Sequence, residues 1–158
     1  MLLYGTPRLT RDIDITLGIG TAQFSLVRKI CQKLRLKILC KKPEAFAHKT
    51  HVLPTEDTKL RIRVDFIFSF TPYERQAMQR IRKVRMTGYP VKFASADDVI
   101  IHKMFAGRAI DLEDVRNILL KQRQTLDVKY IRQWLLQFSQ LPDHRGIVKA
   151  FNGMWRSL

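Results

Sequence analysis

The chain has 158 residues, the length of one ordinary domain, and carries 29 Lys and Arg against 14 Asp and Glu, a formal net charge of +15. Its hydrophobic fraction of 46% and charged fraction of 27% are ordinary globular values, so neither a disulfide nor a structural metal is needed to hold it. The charge favours polyanions, nucleic acid and nucleotides above all. A membrane partner is not expected: no stretch sets a clean basic face against Trp, Phe and Leu, and no apolar run reaches spanning length.

In chain order, Asp12-Ile13-Asp14-Ile15-Thr16-Leu17 alternates polar and apolar residues, which predicts a half-buried strand that breaks at Gly18 and Gly20. Thr21 can cap a helix over residues 22–36, with Phe24, Val27, Ile30, Cys31 and Leu34 as its apolar stripe. Cys31 and Cys40 are the only cysteines and have no ligand spacing. The first twelve residues are too poor in apolar side chains for a secretory signal, so a reducing cytoplasm is the expected compartment. Residues 44–49 are ambiguous, residues 50–54 suggest a short strand, and Arg61 to Phe68 a stronger one with Ile62, Val64, Phe66 and Phe68 on one face.

Thr71-Pro72 has the composition of a helix start, Thr as cap and Pro in the first turn. Val84 to Met86 and Tyr89 to Phe93 predict two strands around a tight Thr87-Gly88 turn. From Ser95 the pattern is helical. Ser95-Ala96-Asp97-Asp98 has capping-box spacing, the first helix stops near Gly107, and others follow over residues 112–122 and 128–139. A last helix in residues 143–158 is expected to be interrupted at Gly153. Strands followed by helices predict an α+β fold.

Asp12 and Asp14 project from one strand face, leaving Ile13, Ile15 and Leu17 for the core. Asp65 falls between Val64 and Phe66, where a lone carboxylate is costly unless a cation or hydrogen-bond donors meet it. If the two strands are neighbours, the three carboxylates can converge on one hard cation, Mg²⁺ or Mn²⁺.

Tyr4-Gly5-Thr6-Pro7-Arg8-Leu9-Thr10-Arg11-Asp12-Ile13-Asp14-Ile15 resembles the G-x-x-R-x-T-x-D-h-D-h segment of the DNA polymerase β-like nucleotidyltransferases. Within them it is most similar to the bacterial branch that contains the abortive-infection type-IV toxins. Residues 94–120, with Lys103, Gly107-Arg108 and Asp111-x-x-Asp114, resemble that branch's second block, and Asp65 sits where the family keeps its third carboxylate. The resemblance covers residues 4–122. It implies an α+β nucleotidyltransferase core with a mixed twisted sheet and helices on one face over residues 1–94, and a small helical part over residues 95–158, packed as one unit.

It also implies metal ligation by Asp12, Asp14 and Asp65, with Asp65 helping to deprotonate the attacking hydroxyl. Arg8 and Thr10 would lie near the nucleotide pocket and Lys103 would meet the triphosphate. Asp111 and Asp114 would orient Lys103 or Arg108, or approach the base and ribose. The implied reaction moves a nucleoside monophosphate from an NTP to a hydroxyl of RNA (tRNA among the candidates) or of protein, with a cognate antitoxin as a further partner. Only eleven residues precede Asp12, so the family's upstream Gly-Gly or Gly-Ser turn, which lets a triphosphate approach the backbone, is expected to be missing. The chain is then either a shortened relative or begins downstream of its true start.

Plainer readings stay open. Lys103 could be a solvated helix residue, and Asp111 and Asp114 could simply favour a helix N-terminus. His48 and His51 lack Asp or Cys partners nearby and read as structural. Arg61, Arg63, Arg80, Arg82, Lys83 and Arg85 could be a nucleic-acid track or a solvated face. The rival to an enzyme is a catalytically degenerate module of the same fold that binds nucleic acid or a partner protein.

Overall fold

A computed structural model of the chain describes residues 3–5, 12–69 and 71–158. The fold is mixed α/β and divides into two compact units, Leu9–Gln79 and Arg80–Leu158, the latter joined by the start of the chain. No helix among the described residues is long and apolar enough to cross a membrane.

The first unit is a four-stranded mixed sheet in the order β1-β4-β3-β2, formed by Asp12–Leu17 (β1), Lys37–Ile38 (β2), Val52–Asp57 (β3) and Ile62–Phe68 (β4). β1 runs parallel to β4, and the other pairings are antiparallel. Alternation along β4 sends Val64, Phe66 and Phe68 to one face. There they meet Leu53 of β3, Phe24, Val27 and Cys31 of helix α1 (Phe24–Lys33), and Ala47 of helix α2 (Pro43–Thr50). Phe68 and Leu53 are fully buried, each contributing about 2 kcal/mol by area.

Ile13 and Ile15 depart from expectation: they take the core side of the sheet but remain 48% and 38% exposed. β1 is an edge strand flanked only by β4, so alternation gave their face correctly but not its coverage. Helix α3 (Pro72–Ala77) closes the unit. Thr71 and Glu74 cap each other's backbone N–H groups there, and Pro72 starts the helix without needing a donor.

The second unit opens with a hairpin, Arg82–Met86 (β5) and Tyr89–Phe93 (β6). Thr87 and Gly88 both have positive φ, 46° and 88°, as a two-residue I′ turn demands. Four helices follow: α4 (Ala96–Ala106), α5 (Ala109–Gln122), α6 (Val128–Phe138) and α7 (Ile147–Arg156). α4 ends at Gly107, whose φ of 64° suits glycine and whose N–H bonds to the Lys103 carbonyl. Ile100, Ile101, Ile118, Leu119, Ile131, Leu135 and Phe151 are fully buried and supply the unit's apolar interior. α7 continues through Gly153 without the expected interruption: Phe151 and Met154 anchor its buried face on either side, which outweighs the roughly 1 kcal/mol helix penalty of one glycine.

Candidate functional site

The residues singled out by sequence fall into two clusters, one in each unit. In the first unit the parallel register sets Asp14 against Asp65 and Asp12 against Arg63. In-register neighbours share a sheet face, so all four side chains belong to the face opposite the apolar core. Asp12 and Asp14 are exposed, and the Asp65 side chain is 17% exposed.

Arg63 Nε donates to Asp65 Oδ1 at 2.8 Å. That bond, then the charge of Asp65, with smaller contributions from Asp14 and Asp12, raises the Arg63 pKa above its ordinary value despite slight opposing desolvation. Sequence reasoning placed Arg63 only in a diffuse basic track. The signal for its local role was the i, i+2 spacing, which puts Arg63 and Asp65 on one strand face.

The donor set consists of carboxylate oxygens on adjacent strands roughly 4.8 Å apart, chemistry that suits a hard divalent cation. As the side chains stand, no three His, Cys, Asp or Glu among the described residues could hold a metal ion. Arg63 is the countercharge that Asp65 meets instead. A shared ion would require the carboxylates to turn toward one another, which neighbouring register positions on exposed β1 permit. Arg8 and Thr10 lie outside the described residues.

In the second unit Lys103 leaves α4 near its end and reaches two carboxylates of α5. Its Nζ lies 3.1 Å from Asp111 Oδ1 and 2.6 Å from Asp114 Oδ2. Arg108, the residue preceding α5, grips Asp111 with Nε to Oδ2 at 2.5 Å and a second guanidinium nitrogen to Oδ1 at 3.2 Å. The Lys103 side chain is 16% exposed, so it is not a solvated surface lysine. Burial pushes the Asp111 pKa up, but hydrogen bonds from Arg108 and Lys103, reinforced by their charges, hold it below its ordinary 3.8. Two cations and two anions neutralise each other here, and at least two of the three ammonium donors of Lys103 point to aspartates.

The same unit holds a polar network that sequence reasoning did not find. Asp97 and Asp98 are buried at the start of α4. Arg80 reaches Asp97 Oδ2 at 2.8 Å, with its guanidinium 3.9 Å over the Tyr130 ring. The Tyr130 hydroxyl donates to Asp98 Oδ1 at 2.8 Å, and Asp97 Oδ1 accepts from the Asp127 N–H at 3.0 Å. Burial, then the bond to Asp98, raises the Tyr130 pKa well above its ordinary 10.0. Ser95 caps the Asp98 N–H as its spacing predicted, but the Asp98 carboxylate is spent on Ser95 Oγ and Tyr130. The ties of Arg80, Asp127 and Tyr130 to these two aspartates span 17 to 32 residues and leave no local signal.

The sequence matches no protein-family model, and no curated protein matches it significantly.

Proposed function

We propose that the chain is a nucleotidyltransferase-fold enzyme that moves a nucleoside monophosphate from an NTP to a hydroxyl of RNA or protein. The observation that supports this reading best is the register of β1 on β4, with Asp14 opposite Asp65 and Asp12 on the same face. In this reading Asp12, Asp14 and Asp65 hold Mg²⁺ or Mn²⁺, which when bound supplies charge neutralisation at the phosphates. The acceptor oxygen bonds to the α-phosphorus, the α–β bridging P–O bond breaks, and pyrophosphate leaves. The hydroxyl proton goes to a carboxylate, for which Asp65 is the candidate. Considered within its own unit, Lys103 is a cation fixed by Asp111 and Asp114, with Arg108 sharing Asp111, and the resemblance gives it a role toward phosphate. Cytoplasmic residence, with a cognate antitoxin as partner, completes the proposal; the free thiols of Cys31 and Cys40 agree with a reducing compartment.

One observation favours the second reading, a degenerate module of the same fold: Arg63 already neutralises Asp65. The test is label transfer from each α-³²P-NTP, with Mg²⁺, to total tRNA and to protein. Transfer that falls at least about a hundredfold in Asp14→Asn supports the enzyme. No transfer from any NTP to either acceptor supports the degenerate module.

A further inference from the structure

A groove of roughly 600 Å³ opens in the Leu9–Gln79 unit between α1, β2 and the start of α2. Phe24, Ile38 and Pro43 give it an apolar wall, Arg28, Lys42 and His48 add basic side chains, and Glu44 is its only carboxylate. The surrounding surface repeats this bias. From Arg28 to Lys49 the chain carries eight Lys and Arg against Glu44 alone. All eight are exposed, and none forms an ion pair among the described residues. Lys42 is also held at φ 48°, a left-handed conformation that costs a non-glycine residue about 1 kcal/mol.

We infer that this groove binds a single-stranded nucleic acid. A lone phosphate would need only the cations at the groove, whereas here they continue beyond it along α1 (Lys29, Lys33) and through the turn into β2 (Arg35, Lys37). A spread of unpaired charge matches a chain of phosphodiesters, whose condensed counterions it releases. The apolar wall beside the cations accepts the face of an unstacked base, which a duplex keeps inside its stack. Helices α1 and α2 pack on the sheet face opposite Asp12, Asp14 and Asp65, so this surface is distinct from the carboxylate cluster and does not depend on nucleotidyl transfer.

The test is fluorescence anisotropy with the full chain, in EDTA and without NTP, using labelled single strands of about 12 nucleotides. RNA and DNA are run as separate arms; binding of either supports the inference, and their ratio tells which is preferred. Arg28→Glu with Lys42→Glu is expected to raise Kd at least about tenfold and to flatten the plot of log Kd against log salt by about 1.4, two phosphates' worth. Lys92→Glu with Lys149→Glu changes net charge equally at exposed positions of the other unit and is expected to shift Kd less than about threefold. Equal loss in the two double variants would overturn the groove, since net charge alone would then explain binding. So would absence of binding to both strands, or a duplex bound as tightly as a single strand. Glu44→Gln removes the opposing charge and is expected to tighten binding about twofold; weaker binding would count against the groove. If charge reversal disturbs folding, Arg28→Gln with Lys42→Gln gives the same direction with a smaller shift.

Discussion

Lys103 Nζ and Asp114 Oδ2 stand 2.6 Å apart with side chains only 16% and 6% exposed, an ion pair that ties α4 to α5. Asp111 adds a second carboxylate at 3.1 Å and is itself 1% exposed. A lysine bonded to two buried aspartates loses most of its rotamer freedom, so its charge is fixed in place before any ligand arrives. The same bonds are a structural liability, because losing Lys103 removes the 2.6 Å partner of buried Asp114 and leaves Arg108 to hold buried Asp111.

Lys103→Met should therefore destabilise the fold by about 3 kcal/mol, read by urea unfolding followed by circular dichroism. Arg108 holds Asp111 through two nitrogens but its side chain is 73% exposed, so it offsets only part of the loss. Lys103→Met with Asp114→Leu removes both charges of the tight pair and should recover a large part of the loss. A loss below about 1 kcal/mol in the single variant would mean that the pair behaves as a screened surface contact.

Tyr130→Phe should cost about 2 kcal/mol at neutral pH, because it leaves Asp98 Oδ1 without its buried donor. The sign at high pH follows from the raised Tyr130 pKa. Above the ordinary 10.0 the unfolded chain gives up the phenolic proton while the folded chain keeps it, so native stability falls as pH climbs. Unfolding free energies measured at pH 8 and above pH 10 should show this decline in the wild type and a smaller decline in Tyr130→Phe. Equal declines would place the alkaline sensitivity in other groups.

What could be read from sequence was local. Alternation in Asp12 to Leu17 and Arg61 to Phe68 gave β1 and β4, Thr71-Pro72 gave a capped helix start, and Thr87-Gly88 gave the tight turn of the hairpin, because each rests on neighbours in the chain. β2 escaped notice because two residues have no period of their own; it exists through pairing of Lys37 with Glu56 and Ile38 with Thr55. The aspartates of β1 and β4 could be named from sequence, but their parallel register, which puts Asp14 beside Asp65, is a tertiary fact. Arg63 as the partner of Asp65 was within reach, since two residues on one strand face need no long-range information. The Arg80, Asp97, Asp98 and Tyr130 network was not, because helix spacing says nothing about which buried polar groups meet across elements.

Arg63 offers the sharpest separation of the two functional readings. Its side chain is 54% exposed, so Arg63→Gln should change stability by less than about 1 kcal/mol. Its effect on a cation should be larger. The substitution removes a positive charge bonded to Asp65 at 2.8 Å and leaves that oxygen open beside Asp14. If the three carboxylates share an ion, Mn²⁺ affinity measured by calorimetry should rise about three- to tenfold, and Asp14→Asn in the same background should remove the gain. If Mn²⁺ binding is unchanged by both substitutions, the carboxylates act separately, and Arg63 is the cation this face was built around.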